Sequence, residues 1–239
     1  MNFGKKIVSV AAGLALVAGA GAIAATPATA APKPKVKGAT TLSFPPAILE
    51  ALAENQITFN VTAGGKVEVD GSTGYANATF PITGPVEDGV IKHKGTLEII
   101  SGLTDVTLSV ANPVITYATD GSGTGSIGGV VNGLPSWTEP FASVINGTFR
   151  DPLFNLTNVK VTVKPGKVKK AGKAFTRTDA VNLTADVSYN SSQDSANLFN
   201  AALTKFPLGP AIFSVDMPLG TMDTKSTVTV TCKTKKACS

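Results

Sequence analysis

His93 is the only histidine in the 239 residues, so any imidazole chemistry must run through it. It lies in Val90-Ile-Lys-His-Lys-Gly-Thr-Leu97, after a Gly/Pro-rich turn and before a strand-like run that ends at Ile100. A Ser-His-Asp hydrolase could use it, but no Gly-x-Ser-x-Gly elbow is present. Zinc catalysis normally takes several His or Cys ligands, and these are absent. With a lysine on each side, the residue types favour a solvent-facing strand histidine; contact with a ligand is the sharper reading. The carboxylates are scattered. Glu87-Asp88, adjacent beside Gly89, are the candidates for a glycosidase- or esterase-like enzyme, which would need two carboxyl groups brought together in space. Asp120-Gly-Ser-Gly-Thr-Gly125 reads as a plain turn. It lacks the further acidic ligands of a calcium loop and the Lys-Ser/Thr of a phosphate loop.

Charge offers a second kind of chemistry. The formal net charge is +5, with 21 Lys and Arg against 16 Asp and Glu. The positive charge falls in three separate runs: Lys33, Lys35 and Lys37; Lys164, Lys167, Lys169, Lys170, Lys173 and Arg177; and Lys233, Lys235 and Lys236. Solvated loops and tails look like this by default. The functional alternative is attraction of the 164–177 loop to an anionic cell-wall polymer or membrane surface. No aromatic platform is interleaved with these lysines, which argues against nucleic acid.

The ends bear on compartment. Lys5 and Lys6, an apolar Ile7 to Ala25 and Ala28-Thr-Ala30 form the three parts of a secretory signal peptide over residues 1–30. No later run is apolar for long enough to span a bilayer. Export would let the only two cysteines, Cys232 and Cys238, pair as a short clip on the chain end. Alternation puts Val228, Val230 and Cys232 on one face, and the intervening loop can return Cys238 to it.

The elements that must position these groups are mostly strands. Residues 31–40, rich in Pro, Lys and Gly, read as an unordered linker. A helix is expected from Ala47 to Asn55, and a second from about Gln193 to Lys205, capped by Ser191-Ser192. Between and after them, short alternating runs separated by Gly and Pro turns predict about ten strands. Pro113 should mark a bulge or an edge. The expected architecture is all-β: an antiparallel β-sandwich or partly open barrel over 41–232, with two short helices and a clipped tail over 233–239.

Several of these features occur in an order that resembles the HtaA-type domain of secreted and envelope proteins of actinobacteria. They are Thr40-Thr-Leu42 before a short helix, Phe80-Pro81, a Gly/Asp turn, Val90-Ile-Lys-His93-Lys-Gly-Thr-Leu97, and Ala111-Asn-Pro113. The resemblance covers roughly residues 40 to 190. It implies a mainly β domain and, for some members, haem held by a helix tyrosine with the motif histidine in support. His93 matches that histidine. The helix, AILEALAEN, has no tyrosine, and Lys92 replaces the usual glycine. A haem site here would therefore rest on His93, with Tyr75 and Tyr117 as the further donors. The expectation is a secreted, non-enzymatic envelope module that binds haem or acts structurally, partnered by a cell-wall polymer or another envelope protein.

Overall fold

The computed structural model describes residues 34–84, 89–141, 152–190 and 192–238. The expected signal peptide and the Glu87-Asp88 pair lie outside the described residues. The strands are β1 (Lys35–Phe44), β2 (Ile57–Thr62), β3 (Lys66–Val69), β4 (Ala76–Pro81), β5 (Val90–Lys92) and β6 (Thr96–Ser101). They continue as β7 (Val106–Tyr117), β8 (Gly125–Asn132), β9 (Phe154–Lys164), β10 (Lys169–Ala171), β11 (Ala174–Tyr189) and β12 (Pro218–Cys232). Helices α1 (Pro46–Glu54), α2 (Gln193–Thr204) and the single turn α3 (Lys235–Cys238), with a 3-10 helix at Ser136–Phe141, complete the described elements. The protein is all-β, as its alternating pattern predicts, with a third helical turn where a plain tail was expected.

Antiparallel pairing runs β2-β6-β7-β8-β9-β11-β12-β1-β4-β3. The sheet then nearly closes on itself. β7 bends at Asn112-Pro113, where its register against β8 shifts. Its first half pairs with β6 and its second half with β5. On the other side of β5, Ile82 at the end of β4 bridges His93. Thr83 N donates to Lys92 O and Lys94 N to Pro81 O at this joint. Pro113 is thus a bulge, the first of the two roles its residue type allows.

The interior is filled by alternate residues of the ring, among them Leu42, Phe80, Ile115, Leu183 and Met222. Helix α2 plugs one end. Ser192 Oγ accepts from Ser195 N at 3.4 Å as its cap. Leu198, Phe199, Ala202 and Leu203 are buried, and Phe199 meets Tyr189 edge-on with centroids 5.6 Å apart. Asn200 is buried too. Its side chain donates to Phe213 O and accepts from the backbone N–H groups of Ile212 and Phe213, which fixes the segment after the helix.

At the opposite end β9, β10, β11, β12 and β1 run on past their neighbours as a projecting arm. β1 pairs with β12 from Lys35 but with β4 only from Ala39. Two expectations are corrected here. The linker assigned to 31–40 becomes strand at Lys35. Gly38, which reads locally as a flexible break, has φ +155°, and a Cβ there would lie 2.3 Å from Lys225 O. Glycine permits the close approach of β1 to β12, and a full edge of ladder bonds outweighs linker-like composition. The basic loop assigned to 164–177 is a short turn followed by the hairpin β10–β11, in register from Lys169↔Thr176 to Ala171↔Ala174.

Candidate functional site

Two places bring together the residues singled out by their chemistry. The first is the seam of the barrel. His93 is not a solvent-facing residue: it is buried, at 4% exposure. The lysines beside it carry the reason. Strand alternation turns Lys92 and Lys94 outward and therefore the residue between them inward. That signal was present in the sequence, and the flanking charges obscured it.

Both ring nitrogens of His93 are engaged. Nδ1 lies 3.0 Å from Pro113 O, and Nε2 lies 2.8 Å from Thr40 Oγ1. A carbonyl oxygen can only accept, so Nδ1 carries the proton and Nε2 accepts from the Thr40 hydroxyl. Thr40 Oγ1 in turn lies 2.7 Å from Thr224 Oγ1. Pro113 O also accepts from the His93 backbone N–H at 3.0 Å. The histidine thus fastens the β7 bulge, β1 and β12 to one another across the barrel interior. Burial lowers its pKa from the usual value, opposed in part by the Pro113 hydrogen bond, so the ring is held neutral.

Beside it lies a void of only about 10 Å³, room for about one water molecule, lined by Thr40, Leu42, Phe80, Pro113, Ile115 and Ile127. Ligand pockets for molecules of cofactor size run from roughly 300 Å³ upward. The tyrosines do not converge on it. Tyr117 is four residues along β7 from Pro113, roughly 13 Å at strand rise, and burial raises its pKa. Tyr75, at 37% exposure, precedes β4 and is seven residues from the Ile82–His93 bridge, roughly 23 Å along an extended chain. His93, Tyr75 and Tyr117 therefore do not form one ligand set, and the residues at His93 do not fit a haem. Among the described residues, no group of three or more His, Cys, Asp or Glu is placed to hold a metal ion.

The second place is the arm. The three basic runs, far apart in sequence, meet there because β1 begins, β12 ends, β9 ends and β11 begins at the same end of the molecule. Lys35, Lys37, Lys164, Lys167, Lys169, Lys170, Lys173, Lys233, Lys235 and Lys236 are all exposed on it. With Arg177 they make up eleven of the chain's 21 Lys and Arg residues, so the remainder of the molecule is acidic on balance.

Register sorts these lysines between two faces. On the outward face Lys35 stands beside Thr229 and Thr178, and Lys37 beside Thr227, Ala180 and Lys164. Lys169 stands beside Thr176 and Thr231 on the same face. Lys170 pairs with Phe175 and belongs to the other face. Lys167 and Lys173 occupy the turns before and after β10, and Lys233, Lys235 and Lys236 the tip beyond β12.

Arg177 departs from the surface role expected of it. It lies on the inward face, where its Nε donates to Asp179 Oδ2 at 3.1 Å and its Nη1 to Cys238 O at 2.7 Å. Asp179 is 1% exposed and also accepts from Gly166 N at 3.0 Å. A buried carboxylate requires such partners. Arg177 is therefore a brace between the β9–β10 turn and the chain end. The chain end is closed by the Cys232–Cys238 disulfide, with Cα atoms 5.5 Å apart, in the pairing that strand alternation predicts.

No protein-family model matches the chain, and no curated protein matches it. Among solved structures, it is similar to the C-terminal domain of HtaA from Corynebacterium glutamicum, at 12% identity and a TM-score of 0.40. The match covers 81% of this chain and 99% of that one. It concerns broad architecture and carries no residue-level correspondence.

Proposed function

We propose that this protein is an exported, non-enzymatic binding module of the cell envelope that holds an anionic polymer on its basic arm. One observation carries the reading: the fold gathers three separate cationic runs at one end of the molecule, leaving an acidic remainder. Four of these lysines, Lys35, Lys37, Lys164 and Lys169, lie on the same face of the sheet. Clustered charge of one sign raises the local concentration of an oppositely charged partner. The disulfide supports export to an oxidising compartment. No helix among the described residues is long and apolar enough to cross a membrane.

The test is binding of the mature chain to isolated cell walls. Reversing Lys35, Lys37, Lys164 and Lys169 to Glu should abolish it. Reversing Lys66, Lys92, Lys94 and Lys205, which lie off the arm, should leave most of it. Equal effects from the two sets would refute the reading. Haem is not part of it: hemin titration should give no Soret change that differs between the wild type and His93→Ala.

A further inference from the structure

The arm has more chemistry on its outward face than charge alone. Five threonines form its floor: Thr176 and Thr178 on β11, and Thr227, Thr229 and Thr231 on β12. Lys35 and Lys37 on β1 flank one side, and Lys164 and Lys169 on β9 and β10 flank the other. The Lys37 row crosses four neighbouring strands, so the two lysine rows stand three strand spacings apart, roughly 14 Å at the Cα level. Between them is a strip two strands wide, paved with hydroxyl groups.

Resting on the anionic-polymer reading above, we infer that this strip takes a linear acidic polysaccharide lying along β11 and β12. The lysine rows meet its carboxylates and the threonines meet its hydroxyl groups. Each threonine hydroxyl offers one donor and two acceptor positions. Thr178 and Thr229 share one hydrogen bond at 2.9 Å, and Thr227 reaches Lys37 O at 3.5 Å. The first bond leaves one donor and several acceptor positions of that pair for a ligand.

The other polyanions suit this face less well. A nucleic acid would call for aromatic platforms, and the paired positions of the strip and its flanks are Lys, Thr and Ala. A lipid surface would call for apolar groups to insert, and the same positions offer only Ala180 and the threonine methyls. Arg177, the group best shaped for a planar fork, faces the other way and is held by Asp179. Lysine ammonium groups on flexible stems tolerate the irregular spacing of charges on a sugar chain.

The experiment uses the mature chain with two probes: polygalacturonate, which bears carboxylates and hydroxyls, and inorganic polyphosphate, which bears charge without hydroxyls along its chain. Thr176, Thr178, Thr227 and Thr229 are changed together to Val, which keeps the β-branched shape. The expected result is at least a tenfold loss of polygalacturonate affinity with polyphosphate affinity unchanged. If the Val changes alter neither affinity, the polysaccharide inference is overturned and the anionic-polymer reading stands. If neither probe binds the wild type, both fail. A wild-type measurement guards against misfolding of the variant. At about 1 M salt, where charge attraction is screened, residual binding of polygalacturonate but not polyphosphate is expected. Equal loss of both overturns the inference.

Discussion

Thr224 and Thr227 stand three residues apart on β12 and face opposite ways. Thr224 points into the barrel and ends the chain from Pro113 O through His93 and Thr40. Thr227 points out beside Lys37 and Ala180. Inside, every hydroxyl and ring nitrogen of that chain has a partner fixed by the packing of three strands. Outside, hydroxyls of the same residue type line a strip between ammonium groups, and their remaining hydrogen-bonding capacity faces solvent. The contrast separates structure from function more cleanly than residue type does. The histidine, which looks like the chemical centre of the sequence, is a structural fastener. The threonines and lysines, which look like ordinary solvated strand residues, form the face to which we assign recognition.

Breaking the inner side should have the largest effect. His93→Ala removes a buried ring and leaves a cavity, and it takes one hydrogen bond each from the Thr40 hydroxyl and the Pro113 carbonyl, which keep Thr224 and the residue 93 backbone N–H as partners, so urea unfolding should show a loss of about 3 kcal/mol. Arg177→Ala leaves the Asp179 carboxylate buried without its cation, and a loss of about 2–3 kcal/mol is expected in the same assay. Opening the Cys232–Cys238 clip with a double Ser variant should cost about 2 kcal/mol, because the closed loop is short.

Mild acid should act on the inner side through His93. The folded-state pKa of His93 lies below its ordinary value because of burial. As pH falls below about 6.5, the unfolded chain takes up a proton that the folded chain refuses, so stability declines. The contribution is fully present above that pH. A His93→Gln variant, which cannot titrate, should show a flatter stability profile between about pH 6.5 and pH 5. An unchanged profile would show that the buried ring does not control acid sensitivity.

The smallest stability effects belong to the outer face. Thr178→Val with Thr229→Val, or Lys35→Glu with Lys37→Glu, should stay within about 0.5 kcal/mol of wild type. Both pairs should nonetheless change polymer binding. An outer-face variant that unfolds the protein would erase the distinction between the two faces.

Much of the fold was legible in the local pattern. Alternation in Asp105-Val-Thr-Leu-Ser-Val110 and Thr227-Val-Thr-Val-Thr-Cys232 marked strands, and it even put Cys232 on the face from which it reaches Cys238. Helix α2 was marked by its serine cap and by Leu198, Phe199, Ala202 and Leu203. The site was harder to read. Lys92 and Lys94 disguised the inward turn of His93, although strand period alone required it. Pro, Lys and Gly in 31–40 disguised β1, since what orders that segment is ladder bonding to β12, more than 180 positions away.

The sequence by itself determined the residue-level alternation, the turns, the disulfide partners and the overall excess of positive charge. These depend on backbone sterics and on neighbours within a few positions. Only the tertiary structure decided that residues 35–37, 164–169 and 176–178 share one end, that Arg177 turns inward, and that His93 reaches Thr40 and Thr224. Those outcomes depend on strand order and register, which are set by long-range pairing and by the burial of one face of the whole sheet. No local run of residues carries that information.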